Sequence, residues 1–107
     1  MEKIEIVLRR EQNNRNGIYL NYINGYWYTY EWSAFLICML HPEVEVRKCI
    51  GVQPDENYAI ARVNKKIIKK LERKYQTSMM DDSIKILLPP LNEDENIFLN
   101  WKALLPP

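Results

Sequence analysis

The chain has 107 residues, 27% charged and 47% hydrophobic, the composition of one globular domain able to bury a core without disulfide or metal staples. Fifteen Lys and Arg against fourteen Asp and Glu leave a formal net charge of +1, so no global field selects nucleic acid or an anionic membrane, and any electrostatic footprint must be local. The only glycines are 17, 25 and 51, which excludes phosphate-cradling loops of the GxxxxGK[ST] or GxGxxG kind.

No run reaches the roughly 18 apolar residues of a membrane span, and the N-terminus has no uninterrupted hydrophobic signal region. The expectation is a cytoplasmic protein with no membrane partner. Cys38 and Cys49 lack CxxC spacing, and the one histidine, His41, stands just before Pro42. No recognised metal-ligand spacing results, so no metal and no cofactor is expected, and the thiols read as reduced core residues.

In chain order, residues 3–9 alternate Ile4, Ile6 and Leu8 against Glu5, Val7 and Arg9, which predicts a half-buried strand. Residues 10–16 form a polar loop ending at Gly17. Ile18, Leu20 and Tyr22 share one face of a second strand, Asn24-Gly25 supplies a two-residue turn with positive φ, and Tyr26 to Tyr30 returns as a third strand. The period then changes. Trp32, Phe35, Leu36, Met39 and Leu40 fall at helical spacing, which predicts a helix over 31–40 closed by His41-Pro42.

Val44 to Ile50 reads as a fourth strand and 51–57 as a turn around Pro54-Asp55. Residues 58–63 fit either a fifth strand or the start of one long helix opened by Pro54. Asn64 favours the strand: it would lie inside the apolar stripe of a continuous helix, whereas it caps a shorter one over 65–75. Residues 76–82 read as a loop and 84–88 as the last strand, stopped by Pro89-Pro90. A helix over 92–105 follows Asn92, with Ile97, Phe98, Trp101 and Leu105 inward. The expected order is βββαββαβα, an α+β single domain over 1–107 with a mixed, mostly antiparallel sheet of about six strands and three helices.

Two features point toward binding. Tyr26, Tyr28 and Tyr30 face one side of their strand, Trp27 and Thr29 the other; one set fills the core, and an exposed row would suit stacking on bases or on a partner. In the 65–75 helix, Lys65, Lys66, Lys69, Lys70 and Arg73 occupy an arc of about 140° at 100° per residue, opposite Ile67, Ile68 and Leu71. That stripe is either a solvated outer face or a track for a phosphate backbone. Catalysis finds little support: Glu93, Asp94 and Glu95 suit a helix N-terminus, and any Ser-His-Asp or Cys-His site would rest wholly on His41. No enzymatic activity is expected.

Gly25-Tyr26-Trp27-Tyr28-Thr29, then Tyr30 and a helix with Ala34, resembles the N-terminal mismatch-recognition domain of the MutS family, where glycine, an acidic residue, phenylalanine, tyrosine and glutamate precede a short helix. Ile50-Gly51-Val52-Gln53-Pro54 is similar to the family's Ala-Gly-Val-Pro turn, and the order of elements matches over about 17–90. The resemblance implies that Trp27 takes the place of the phenylalanine that stacks on a mispaired base, and Thr29 that of the glutamate that hydrogen-bonds it. It implies an isolated recognition-type module without the family's clamp, connector and ATPase domains. The leading expectation is therefore a binding module for DNA or another nucleic acid, with Trp27 and Thr29 at the base and Lys65, Lys66, Lys69, Lys70 and Arg73 on phosphates. The rival is an accessory subunit that keeps the fold and binds a protein partner or a second copy of itself through a sheet face or edge.

Overall fold

The computed structural model of the chain describes residues 4–14, 16–51, 56–89 and 95–107. It is α+β, with helices α1 (Ile4–Asn13), α2 (Glu31–Leu40), α3 (Lys65–Lys74) and α4 (Glu95–Ala103), and strands β1 (Gly17–Ile23), β2 (Tyr26–Tyr30), β3 (Val46–Cys49), β4 (Tyr58–Val63), β5 (Thr77–Met79) and β6 (Ser83–Leu87). The strands form one sheet in the order β3-β4-β2-β1-β6-β5, and every pairing is antiparallel rather than mixed.

The β1–β2 turn is as expected: Asn24 and Gly25 sit at φ of 50° and 89°, the positive values a type I′ turn requires. Residues 58–63 are a strand, and Asn64 Oδ1 accepts the Ile67 N–H at 3.0 Å as the cap of α3. The expected turn at Pro54-Asp55 and the start of the last helix at 92–94 lie outside the described residues.

Two expectations are corrected. Residues 4–13 are helical, not a strand followed by a loop. The alternation of Ile4, Ile6 and Leu8 competes with a second pattern, Ile4, Val7, Leu8 and Glu11, spaced as one helix face. The structure follows the second, burying Val7 and Glu11 and leaving Ile6 half exposed; a carboxylate at the fourth inward position hid the helical period. Within the expected 76–82 loop, Thr77–Met79 pairs with β6 as a three-residue edge strand. An edge strand this short carries too little alternation to announce itself.

Directly opposed residues of antiparallel strands share a face. Ile18, Leu20, Trp27, Thr29, Val46, Ala59, Ala61, Val63, Ile84 and Ile86 therefore face one side, where α2, α3 and α4 cover them. The middle of α2, from Trp32 to Ile37, is buried all round, as a helix between a sheet and further helices must be. Trp32, Phe35, Phe98 and Trp101 dock α4 onto it with ring centroids 5.1 to 5.9 Å apart. The other face carries Tyr19, Tyr26, Tyr28, Tyr30, Tyr58, Ile60, Arg62, Arg47 and Lys85.

Among the described residues no helix is long and apolar enough to cross a membrane, and no group of three or more His, Cys, Asp or Glu is placed to hold a metal ion. Cys38 and Cys49 are free thiols.

Candidate nucleic-acid interface

β2 runs into α2 without a loop, and Glu31 turns the corner at φ 49°, a left-handed conformation uncommon outside glycine. The sharp turn splays β2 from β1: their pairing stops at Asn21 and Tyr28. The Tyr19 backbone would next meet Tyr30 in that register. Instead its N–H donates to Ser33 Oγ at 2.9 Å, and its carbonyl accepts from Thr29 Oγ1 at 3.0 Å. Thr29 is wholly buried. Its hydroxyl replaces a lost ladder bond, so the place the resemblance gives it at a base edge is closed off by the fold.

Behind Ser33 lies a network that the sequence did not announce. Glu11, on α1, accepts from the Ser33 N–H at 2.9 Å and the Ser33 hydroxyl at 2.6 Å. Asn14 Nδ2 donates to Glu11 at 3.2 Å and to the Gly17 carbonyl at 2.7 Å. Glu11 thereby caps α2 from another helix, with its carboxylate at the positive end of the helix dipole. Burial pushes its pKa from 4.5 to about 7; the bonds from Ser33 and Asn14 and the nearby Arg10 charge pull the other way without cancelling the desolvation.

Glu11 also borders a cavity of about 290 Å³, lined among others by Glu31, Glu56, Glu95, Trp32 and Lys102. Glu31 bonds the Ala59 N–H at 2.7 Å and Lys102 at 2.9 Å. This end of the molecule is acidic and does not suit a phosphate.

The basic ridge lies elsewhere. Ile67, Ile68 and Leu71 bury one side of α3 in the core, which turns Lys65, Lys66, Lys69, Lys70 and Arg73 outward, all exposed. Beside the ridge is a cleft of about 130 Å³ between Leu40, His41, Lys70, Leu71, Lys74 and Tyr75. His41 Nδ1 lies 3.0 Å from Glu43 Oε1, but the cleft lining holds no Ser, Thr or Cys to serve as nucleophile.

Trp27 shares the helix-covered face with α3 and stands opposite Val63, just before that helix begins. Its ring is half-buried, set against the core and against Tyr22 with centroids 5.0 Å apart. The structure thus places Trp27 and the basic ridge on the same side of the sheet, with Trp27 engaged in packing.

The other face brings cations not singled out from the sequence to the tyrosine row that was. Arg10 Cζ stands 4.1 Å and Lys85 Nζ 5.1 Å from the Tyr19 ring centroid, and Arg62 Cζ 4.6 Å from that of Tyr26. The alternation of Arg62 with Ala61 and Val63 carried the signal, but it surfaces only once β4 is placed beside β2. Comparison of the chain with protein-family models, curated proteins and solved structures finds no match.

Proposed function

We propose that this chain is a non-enzymatic nucleic-acid-binding module of the type that its Gly25–Thr29 segment resembles, with α3 contacting the phosphate backbone. The observation that carries the reading is the α3 ridge: five exposed cations on one helix face, none of them in an ion pair among the described residues. At a net charge of +1, such a concentration needs compensating acid elsewhere, and part of that acid lines the cavity bordered by Glu31, Glu56 and Glu95. Mismatch discrimination does not belong to this reading, because Thr29 is buried and has no carboxylate to offer a base.

The test is fluorescence anisotropy with labelled single-stranded and duplex DNA over a range of salt. Each phosphate neutralised contributes about −0.9 to the slope of log K against log salt for duplex DNA. Lys66→Gln/Lys69→Gln/Lys70→Gln preserves helix propensity and should reduce that slope by about 2 to 3. Absence of salt-dependent binding by the wild type at low ionic strength, or an unchanged slope in the triple variant, refutes the assignment.

A second reading, self-association, has its own observation. β5 is a sheet edge paired on one side only among the described residues, and Met79 and Met80 are exposed there at 72% and 52%. Its test is argued in the Discussion.

A further inference from the structure

From the second face of the sheet we infer a stacking platform for unpaired bases, which makes the preferred ligand a single-stranded nucleic acid. The inference rests on the nucleic-acid reading but assigns base contacts to a surface separate from α3 and Trp27.

The registers fix the layout. One row across the sheet runs Asn21, Tyr28, Arg62, and its neighbour brings Lys85 beside Tyr19 and Ile60 beside Arg47. Tyr26 begins β2 at the hairpin end and is 51% exposed. Tyr28 and Ile60 line a shallow depression of about 400 Å³ bounded by Arg47, Arg62 and Glu45. Arg10 comes over the platform from α1 and is anchored by a 2.7 Å bond to Asn21 Oδ1.

Charge complementarity selects the occupant. Arg10, Lys85, Arg62 and Arg47 bring four cations to these rows. Glu45 also stands here, held by Arg47 at 2.9 Å. A base stacks on a tyrosine ring or on a guanidinium plane alike, and open antiparallel sheets presenting two or three aromatics take single strands in this way. Arg62 over Tyr26 therefore extends the stacking surface and places a charge within reach of the adjoining phosphate. Duplex bases are already stacked on one another and cannot lie on such a surface, so the platform discriminates by strandedness. An aliphatic partner surface fits it poorly, since Ile60 is the apolar residue at its centre.

The experiment compares wild type, Tyr26→Ala/Tyr28→Ala, Arg62→Ala and the α3 triple glutamine variant against labelled 12-mers of oligo-dT and oligo-U and a blunt 12-base-pair duplex. Far-UV circular dichroism accompanies each variant. In parallel, photo-crosslinking of the unaltered chain to a 5-iodouracil oligonucleotide locates the contact by mass spectrometry without relying on any variant's folding. The expected result is single-strand binding at least tenfold tighter than duplex, crosslinks on Tyr19, Tyr26 or Tyr28, and a roughly tenfold or greater loss in the double-tyrosine variant. The ratio of oligo-U to oligo-dT affinity then tells RNA from DNA.

Crosslinks confined to Trp27 or α3, with the tyrosine variant binding as wild type, overturn the platform and leave the α3 reading standing. Equal affinity for duplex and single strand overturns it as well. Loss in the tyrosine variant with no effect of the α3 substitutions on the salt slope upholds the platform and refutes the ridge. Absence of binding by the wild type to all three probes refutes both.

Discussion

At the scale of single residues, Thr29, Ser33 and Glu11 show how a polar residue in a core is explained by the backbone it serves. A strand that enters a helix without a loop leaves ladder groups of Tyr19 and a first-turn N–H of α2 unmatched; two hydroxyls satisfy the former and a carboxylate the latter. Glu11 makes this arrangement depend on pH. Its folded pKa of about 7 lies above the unfolded 4.5, so below pH 4.5 it is protonated in both states. As the pH rises toward 7 the unfolded chain releases the proton first, and stability falls by an amount on the order of 3 kcal/mol before levelling off. Glu11→Gln mimics the protonated acid and titrates in neither state. The wild type should equal the variant in stability near pH 4.5 and drop below it near pH 8, measured by urea unfolding across that range. A stability difference that does not change with pH would contradict the assignment.

At the scale of elements, α3 is the clearest case of local signals agreeing. Its cap, its apolar stripe and its cations at Arg73 and Lys74 near the C-terminal end all favour the same helix. Removing the cap in Asn64→Ala should cost about 1 kcal/mol and lower Tm by several degrees without altering the hydrophobic contacts; an unchanged Tm would mean that tertiary packing alone sets where the helix begins. Such agreement also decides what could be read from the sequence. The Asn24-Gly25 turn, α2 from Glu31 to Leu40 and the α3 cap are legible because they rest on neighbours in the chain. α1 is not, because its inward Glu11 is held mainly by Ser33, 22 residues away. β5 is not, because Thr77–Met79 is a strand only by virtue of β6. The candidate site divides in the same way: the α3 ridge shows in the spacing of its lysines, whereas the pairing of Arg62 with Tyr26 and of Arg10 with Tyr19 depends on sheet order.

At the scale of the whole molecule, an almost neutral chain separates its charges into an acid-lined cavity at one end, a basic ridge on the helix side and a tyrosine–arginine surface on the other face of the sheet. Its two sheet edges are just as unequal. β3 carries Arg47 and Lys48, and the C-terminal segment lies along it, with the Lys48 N–H donating to the Pro106 carbonyl at 2.7 Å and Lys48 Nζ to Ala103 at 3.0 Å. β5 is blunted by its shortness alone: residues 76–80 read Gln-Thr-Ser-Met-Met, without charge or proline. Two copies meeting antiparallel along β5 would continue the sheet across a twofold axis and cover Met79 and Met80. Three residues per edge bury far less than the roughly 1,200 Å² of a stable interface, so the contact should be weak and visible only at high concentration. Light scattering over a concentration series should show the average mass rising above that of one chain, and Met79→Lys, which adds a charge to an already exposed position, should return it to one chain without loss of thermal stability. A mass that stays at one chain to the highest concentration reached would eliminate the edge contact. Because β5 stands two strands from Tyr19 and four from Arg62 in the sheet order, Met79→Lys should leave oligonucleotide affinity within about twofold of wild type, so association and binding can be measured independently on the same protein.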